Sequence, residues 1–149
     1  MSLRGLVQRV FRLDSVAIPT FTKDTDPDFG EFTRDGITSS WFIHRQTEGG
    51  QIMIRGRSQV PTPEQKELIH RFMPLLEPLT EASLAILRPP HDFPAHPIPS
   101  RLVLRELRFE STGVAELFFD PEIDIDGYTL WPMATCSLDG SLLSTEWTT

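Results

Sequence analysis

Three carboxylates of this chain come closest to a spacing that does chemistry. Glu122-x-Asp124-x-Asp126-Gly127 alternates acids ahead of a glycine, as the start of a calcium loop does. Calcium takes six to eight oxygens, and in an EF-hand a glutamate at the twelfth position supplies two of them. Here that position is Met133, and no flanking helices are expected. A second run, Asp24-x-Asp26-x-Asp28, has Asp35 at the twelfth position but carries Pro27 inside it and Phe29 where glycine belongs. Both runs read as polar turns. In an extended segment, alternation puts Glu122, Asp124 and Asp126 on one side, which makes an anionic stripe without a metal.

The four histidines are His44, His70, His91 and His96. Zinc needs three or four convergent ligands. His91, Asp92 and His96 share one loop but have no visible partner pair, so they read as solvated, and no metal or other cofactor is expected. Gly56-Arg57-Ser58-Gln59-Val60 begins like a nucleophile elbow, with Val60 in place of the second glycine. Cys136, the one cysteine, falls in a strand-like run and reads as a small core residue. Arg45, Arg55 and Arg57 form a modest basic patch. Alternation places Arg55 and Arg57 opposite Ile52 and Ile54, where they would pair with acids or hold a phosphate or carboxylate.

The elements that would position these groups suit one domain. The chain has 149 residues, 39% of them hydrophobic, with three Trp and ten Phe, which is enough for a real core. One cysteine excludes an intramolecular disulfide and disfavours a secreted scaffold. No apolar run approaches the length of a membrane span. Met1 to Leu13 holds Arg4, Arg9 and Arg12, which interrupt any signal-peptide core, and reads as a first strand or short helix with Leu6, Val7, Val10 and Phe11 turned inward. A cytoplasmic location is expected. The net charge is −7, and Glu106 to Thr149 carries nine acids against one base, Arg108. The excess negative charge thus sits in the last third, where the acids either solvate the outer side of a sheet or make a face that disfavours nucleic acid and favours a basic protein partner.

Gly36 to Ser58 reads as a hairpin, with Trp41 and Ile43 on one face of the first strand and a turn at Thr47 to Gly50. Thr62, Pro63 and Gln65 carry a helix start with a capping box. Leu68, Phe72, Leu75 and Leu79 form its apolar stripe, with Ile69 and Leu76 beside it. Pro74 and Pro78 are expected to kink or break it, with Thr80 capping a second piece to about Leu87. Residues 89–99 hold five prolines and read as a surface connection. Leu102 to Phe109 and Val114 to Phe119 make a second hairpin around Ser111-Thr112-Gly113. Tyr128 to Ser137 and Leu142 to Trp147 make a third around Asp139-Gly140. Pro132 places its strand at an edge or a bulge. The fold class is α+β: one domain over residues 1–149, with a mainly antiparallel sheet of hairpins packed on a kinked or broken helix at about 62–87.

The run Leu117-Phe118-Phe119-Asp120, Gly127-Tyr128, Leu138-Asp139-Gly140-Ser141 and Glu146-Trp147 resembles the endings of small uncharacterised bacterial α+β proteins. Some of these occur near polymorphic toxins and are suspected immunity proteins. The resemblance covers about a third of the chain and implies a binding role with no catalytic residues. The first reading is therefore a non-catalytic interaction module, with an immunity-type inhibitor as one form. Glu122, Asp124 and Asp126 would be its anionic contact, and Tyr128 or Trp131 its aromatic anchor. The alternative is a small-ligand binder or enzyme with a site between sheet and helix that uses His44, Arg55, Arg57 or His70. A homo-oligomer joined through a sheet edge near Pro132 is a third reading.

Overall fold

A computed structural model describes residues 20–110 and 113–149. The reading of Met1 to Leu13, and Ser111 and Thr112 of the second hairpin turn, lie outside the described residues. Among the described residues four antiparallel strands come first: β1 (Phe21–Asp26), β2 (Gly30–Asp35), β3 (Ser40–Thr47) and β4 (Gly50–Gly56). The helical layer follows as α1 (Pro63–Phe72), a 3-10 turn (Met73–Leu75) and α2 (Leu76–Ile86). Then come β5 (Val103–Phe109), β6 (Val114–Asp120), β7 (Ile123–Ile125), β8 (Tyr128–Ser137) and β9 (Leu142–Thr148). The strands form one sheet in the order β1-β2-β3-β4-β5-β6-β8-β7, with β9 also paired to β8. The architecture is α+β with mainly antiparallel pairing.

One pair is parallel. β4 and β5 align Met53 with Glu106 and Gly56 with Phe109. A parallel pair needs a crossover of a dozen or more residues. The helical layer and the proline-rich connection supply it, so the two halves join in one continuous sheet.

The helix start forms as its residues dictate. The Thr62 side chain accepts from the Gln65 N–H, and Gln65 Oε1 accepts from the Thr62 N–H at 2.9 Å. The same oxygen accepts from Trp41 Nε1 at 2.9 Å, so one side chain both caps α1 and satisfies a buried indole. The helix breaks at Pro74, which lies in the 3-10 turn. Pro78 does not break it. It is the third residue of α2, where the backbone N–H has no intrahelical acceptor to lose. The second helix therefore starts at Leu76, and Thr80 lies inside it rather than capping it.

The helices cover one face of the sheet. Ile69, Phe72, Leu76 and Leu79 are buried against Trp41, Ile54, Leu107, Phe109 and Leu117. Leu68 and Leu75, expected in the stripe's centre, are only half-buried at its margin, and the stripe runs instead through Ile69 and Leu76. Gly56 is required by close approach: a Cβ there would lie 2.5 Å from three atoms of the Trp41 ring. Gly56→Ala is expected to cost about 1–3 kcal/mol by overpacking, read as a lower urea midpoint with an unchanged slope. An unchanged midpoint would show that Trp41 can move aside.

Two local expectations fail on pairing. Pro132 is fully buried and its strand is not an edge: β8 pairs with β9 on one side and with β6 and β7 in succession on the other. The β6 and β7 ladders stop at Met133 and Leu130, so the gap between them falls where proline offers no N–H. A homo-oligomer built on an edge at Pro132 has no edge there to use. The stretch read as a polar turn at Asp24 to Asp28 is instead the end of β1 and its turn into β2.

Candidate functional site

Strand alternation sorts the candidate residues onto two faces. No helix among the described residues packs on the second face, and there the arginines meet the acids. Arg55 Nη1 donates to Ser40 Oγ at 2.6 Å and to Asp35 Oδ2 at 3.2 Å, and its Nε lies 3.4 Å from Glu106 Oε2. Its guanidinium sits 5.1 Å from the centre of the Phe42 ring. Arg108 donates to Glu106 at 3.0 Å and covers Phe118 at 4.3 Å. Arg57 grips Glu110 with Nη2 at 3.1 and 3.2 Å from the two carboxylate oxygens. Arg55 and Arg57 thus pair with acids, two of them from the C-terminal part, rather than standing open for a ligand. Glu106 is only 5% exposed although no helix covers it, because this lattice surrounds it.

The residues of the alternative ligand site are not brought together. His44 is exposed beside Phe42, His70 is exposed on α1, and Arg55 is enclosed by its own carboxylates. The three-arginine patch is also divided. Arg45 is the register partner of Ile52, so it points to the helical side, where it lies 5.4 Å from the Phe29 ring.

The other chemical candidates are used structurally. Asp26 accepts from Lys66 at 2.9 Å and from the N–H groups of Asp28 and Phe29, and Asp28 accepts from Lys66 at 2.8 Å. Asp24 pairs with Arg34. This run ties the β1–β2 turn to α1. No group of three or more His, Cys, Asp or Glu among the described residues is placed to hold a metal. Ser58 Oγ donates to Val60 O at 2.8 Å in the approach to α1, so no elbow forms. Cys136 is fully buried, and burial pushes its thiol up to about 11, where it stays protonated and inert.

Asp26 and Asp35 give the fold an acid limit. Burial works against each carboxylate, but bonds from Lys66 and two N–H groups at Asp26 outweigh it. At Asp35 the Thr38 hydroxyl, the Ile37 and Thr38 N–H groups and Arg55 do the same. Both groups are held below the ordinary value of 3.8. A lowered folded-state pKa stabilises above the unfolded value, and that contribution is lost as pH falls through the folded value. Urea midpoints are therefore expected to hold steady through neutral pH from these two groups and to drop below about pH 4. Asp35→Asn should start lower at neutral pH and show a shallower acid decline. An equally steep decline would remove Asp35 as a cause.

The predicted anionic contact is an exposed hairpin. Asp126 and Gly127 have φ of 51° and 84°, a two-residue type I′ turn between β7 and β8. Ile123 and Ile125 are buried, while Glu122, Asp124 and Asp126 are exposed. Asp124 accepts from Thr129, its register partner, at 2.7 Å. None of the three is in an ion pair among the described residues, in contrast to Glu106, Glu110 and Asp120 of the same part. Asp126 lies in the turn, where positive φ ends the alternation that was to place it beside the other two. Tyr128, 61% exposed, is the partner of Ile125 and so points to the opposite side from Asp124. Trp131 is on the Asp124 side, half-buried, with Arg105 5.7 Å from its ring. The two aromatic anchors do not share a face.

Sequence reasoning missed Asp35, Glu106 and Arg108 as members of a lattice. The signal was present: Glu106, Arg108 and Glu110 alternate with Leu107 and Phe109, so three charges share the side opposite two core residues. It read the Glu122 to Gly127 run as a polar turn but missed strand β7 and its hairpin with β8, although Asp126-Gly127 is the same dipeptide as Asp139-Gly140. No helix among the described residues is long and apolar enough to cross a membrane. No protein-family model matches the chain, and no curated protein or solved structure matches it.

Proposed function

We propose that this protein is a non-catalytic interaction module that docks a basic protein through the acidic β7–β8 end of its sheet. The observation that carries the reading is the division of its acids. Glu106 and Glu110 are consumed by arginines, whereas Glu122, Asp124 and Asp126 stand exposed with no cation among the described residues. Unneutralised surface carboxylates at one hairpin steer a basic partner and set its register. Tyr128, exposed at the same hairpin on the side opposite Asp124, supplies apolar area to a partner that wraps the hairpin tip. The resemblance of the C-terminal run supports a binding role, of which an immunity-type inhibitor is one form. A small-ligand reading through His44, Arg55, Arg57 and His70 has no convergent site to support it.

The test is an affinity pull-down from native host lysate at low and at moderate salt, with the intact protein and its E122Q/D124N/D126N variant as baits. A stoichiometric basic partner that is lost at moderate salt and lost by the variant supports the reading. A partner retained equally by the variant moves the contact elsewhere. No partner at either salt overturns the interaction role.

A further inference from the structure

A groove opens between sheet and helix at the same end of the molecule. β4 and β5 run parallel, and Val103 is the register partner of Asp120, two residues before Glu122. The Thr47–Gly50 turn, the start of β5 and the β7–β8 hairpin therefore lie along one end of the sheet. The groove there has a volume of about 850 Å³. Met73, Leu76, Leu102 and Leu104 give it an apolar floor. Its charged lining is entirely acidic: Glu48 from the β3–β4 turn and Glu77 and Glu81 from α2. All three are exposed, and none is in an ion pair among the described residues. Glu77 and Glu81 are four residues apart on one helix, where like charges repel. A cation supplied from outside would relieve that repulsion.

We infer that this groove is the anchor site for a basic segment of a protein partner, one that carries aliphatic side chains on one face and Lys or Arg at its margins. The aliphatic face fills the Leu76–Leu104 floor, and the cations meet Glu48, Glu77 and Glu81. An apolar floor with a charged rim is how helix-in-groove recognition combines affinity with register. The inference rests on the proposed interaction role and adds the kind of segment recognised and where it seats.

The test uses the intact chain and three labelled peptides followed by fluorescence anisotropy: an amphipathic leucine–arginine peptide, its counterpart with serine for leucine, and its counterpart with glutamate for arginine. The first should bind, and each of the others should bind at least about tenfold more weakly. Two independent variants remove the groove in different ways: E48K/E77K/E81K reverses its rim, and Thr80→Trp fills it without changing charge. Each should weaken the first peptide at least about tenfold while circular dichroism stays unchanged. Equal binding of the leucine-free peptide, or undiminished binding by either folded variant, overturns the groove. Loss only in E122Q/D124N/D126N overturns the groove and leaves the hairpin reading standing. Groove-dependent peptide binding with no partner in the lysate keeps the groove and overturns the proposed role. A dimer in sedimentation that Thr80→Trp dissociates assigns the groove to a second copy and overturns the partner.

Discussion

Replacing Arg55 with Ala lowers stability by about 3 kcal/mol, the lower end of the range for breaking a buried ion pair. Asp35 and Glu106 have side chains only 9% and 6% exposed, and Arg55 lies between them. Without the guanidinium, Asp35 keeps its turn N–H bonds and Glu106 keeps Arg108, so neither carboxylate is stripped of every partner. Solvent also reaches the vacated position on a face that no described helix covers. Those two facts set the lower end. Phe42 loses its cation as well. The measurement is urea unfolding of wild type, Arg55→Ala, Asp35→Asn and the double variant. A coupling energy of about 1 kcal/mol or more between Asp35 and Arg55 is expected, since the two share a network. A single-variant loss under about 0.5 kcal/mol would place the lattice among solvated surface pairs, which contribute little.

Phe72→Ala costs about 3–5 kcal/mol, the usual loss for deleting a buried aromatic ring. Phe72 has no exposed surface and meets Phe109 edge to face at 5.7 Å. It ends α1 directly before the 3-10 turn, so its ring holds the break in the helix against the parallel β4–β5 junction. Collapse around the cavity is limited because Trp41, Leu107 and Leu117, which line the same core, have no exposed surface either. The check is again urea unfolding, with near-ultraviolet circular dichroism for aromatic packing. Retained far-ultraviolet signal with lost aromatic signal would mean that α1 and α2 persist but undock. A loss under about 1 kcal/mol would show that the helical layer is not anchored there.

Local chemistry settled the elements whose causes lie within a few residues. The Thr47–Gly50 turn, the Thr62–Gln65 capping box, the break at Pro74 and the alternation of Trp41, Ile43, Ile52 and Ile54 follow from φ preferences, caps and period, and the structure has each of them. The α+β class followed from their order. What lay beyond local reach is pairing between distant residues. The parallel β4–β5 junction joins Met53 to Glu106, and no short-range signal specifies it. That junction decides that Arg55 meets Glu106 and that Leu102 and Leu104 line a groove with α2. Pro132 makes the same point: its missing N–H is a local fact, but whether that means an edge or a gap between two ladders depends on β6, β7 and β9. The sequence determined which side chains share a strand face; only the tertiary structure decided which faces meet. Pairing energy is gained between residues far apart in the chain, after the loop joining them has closed.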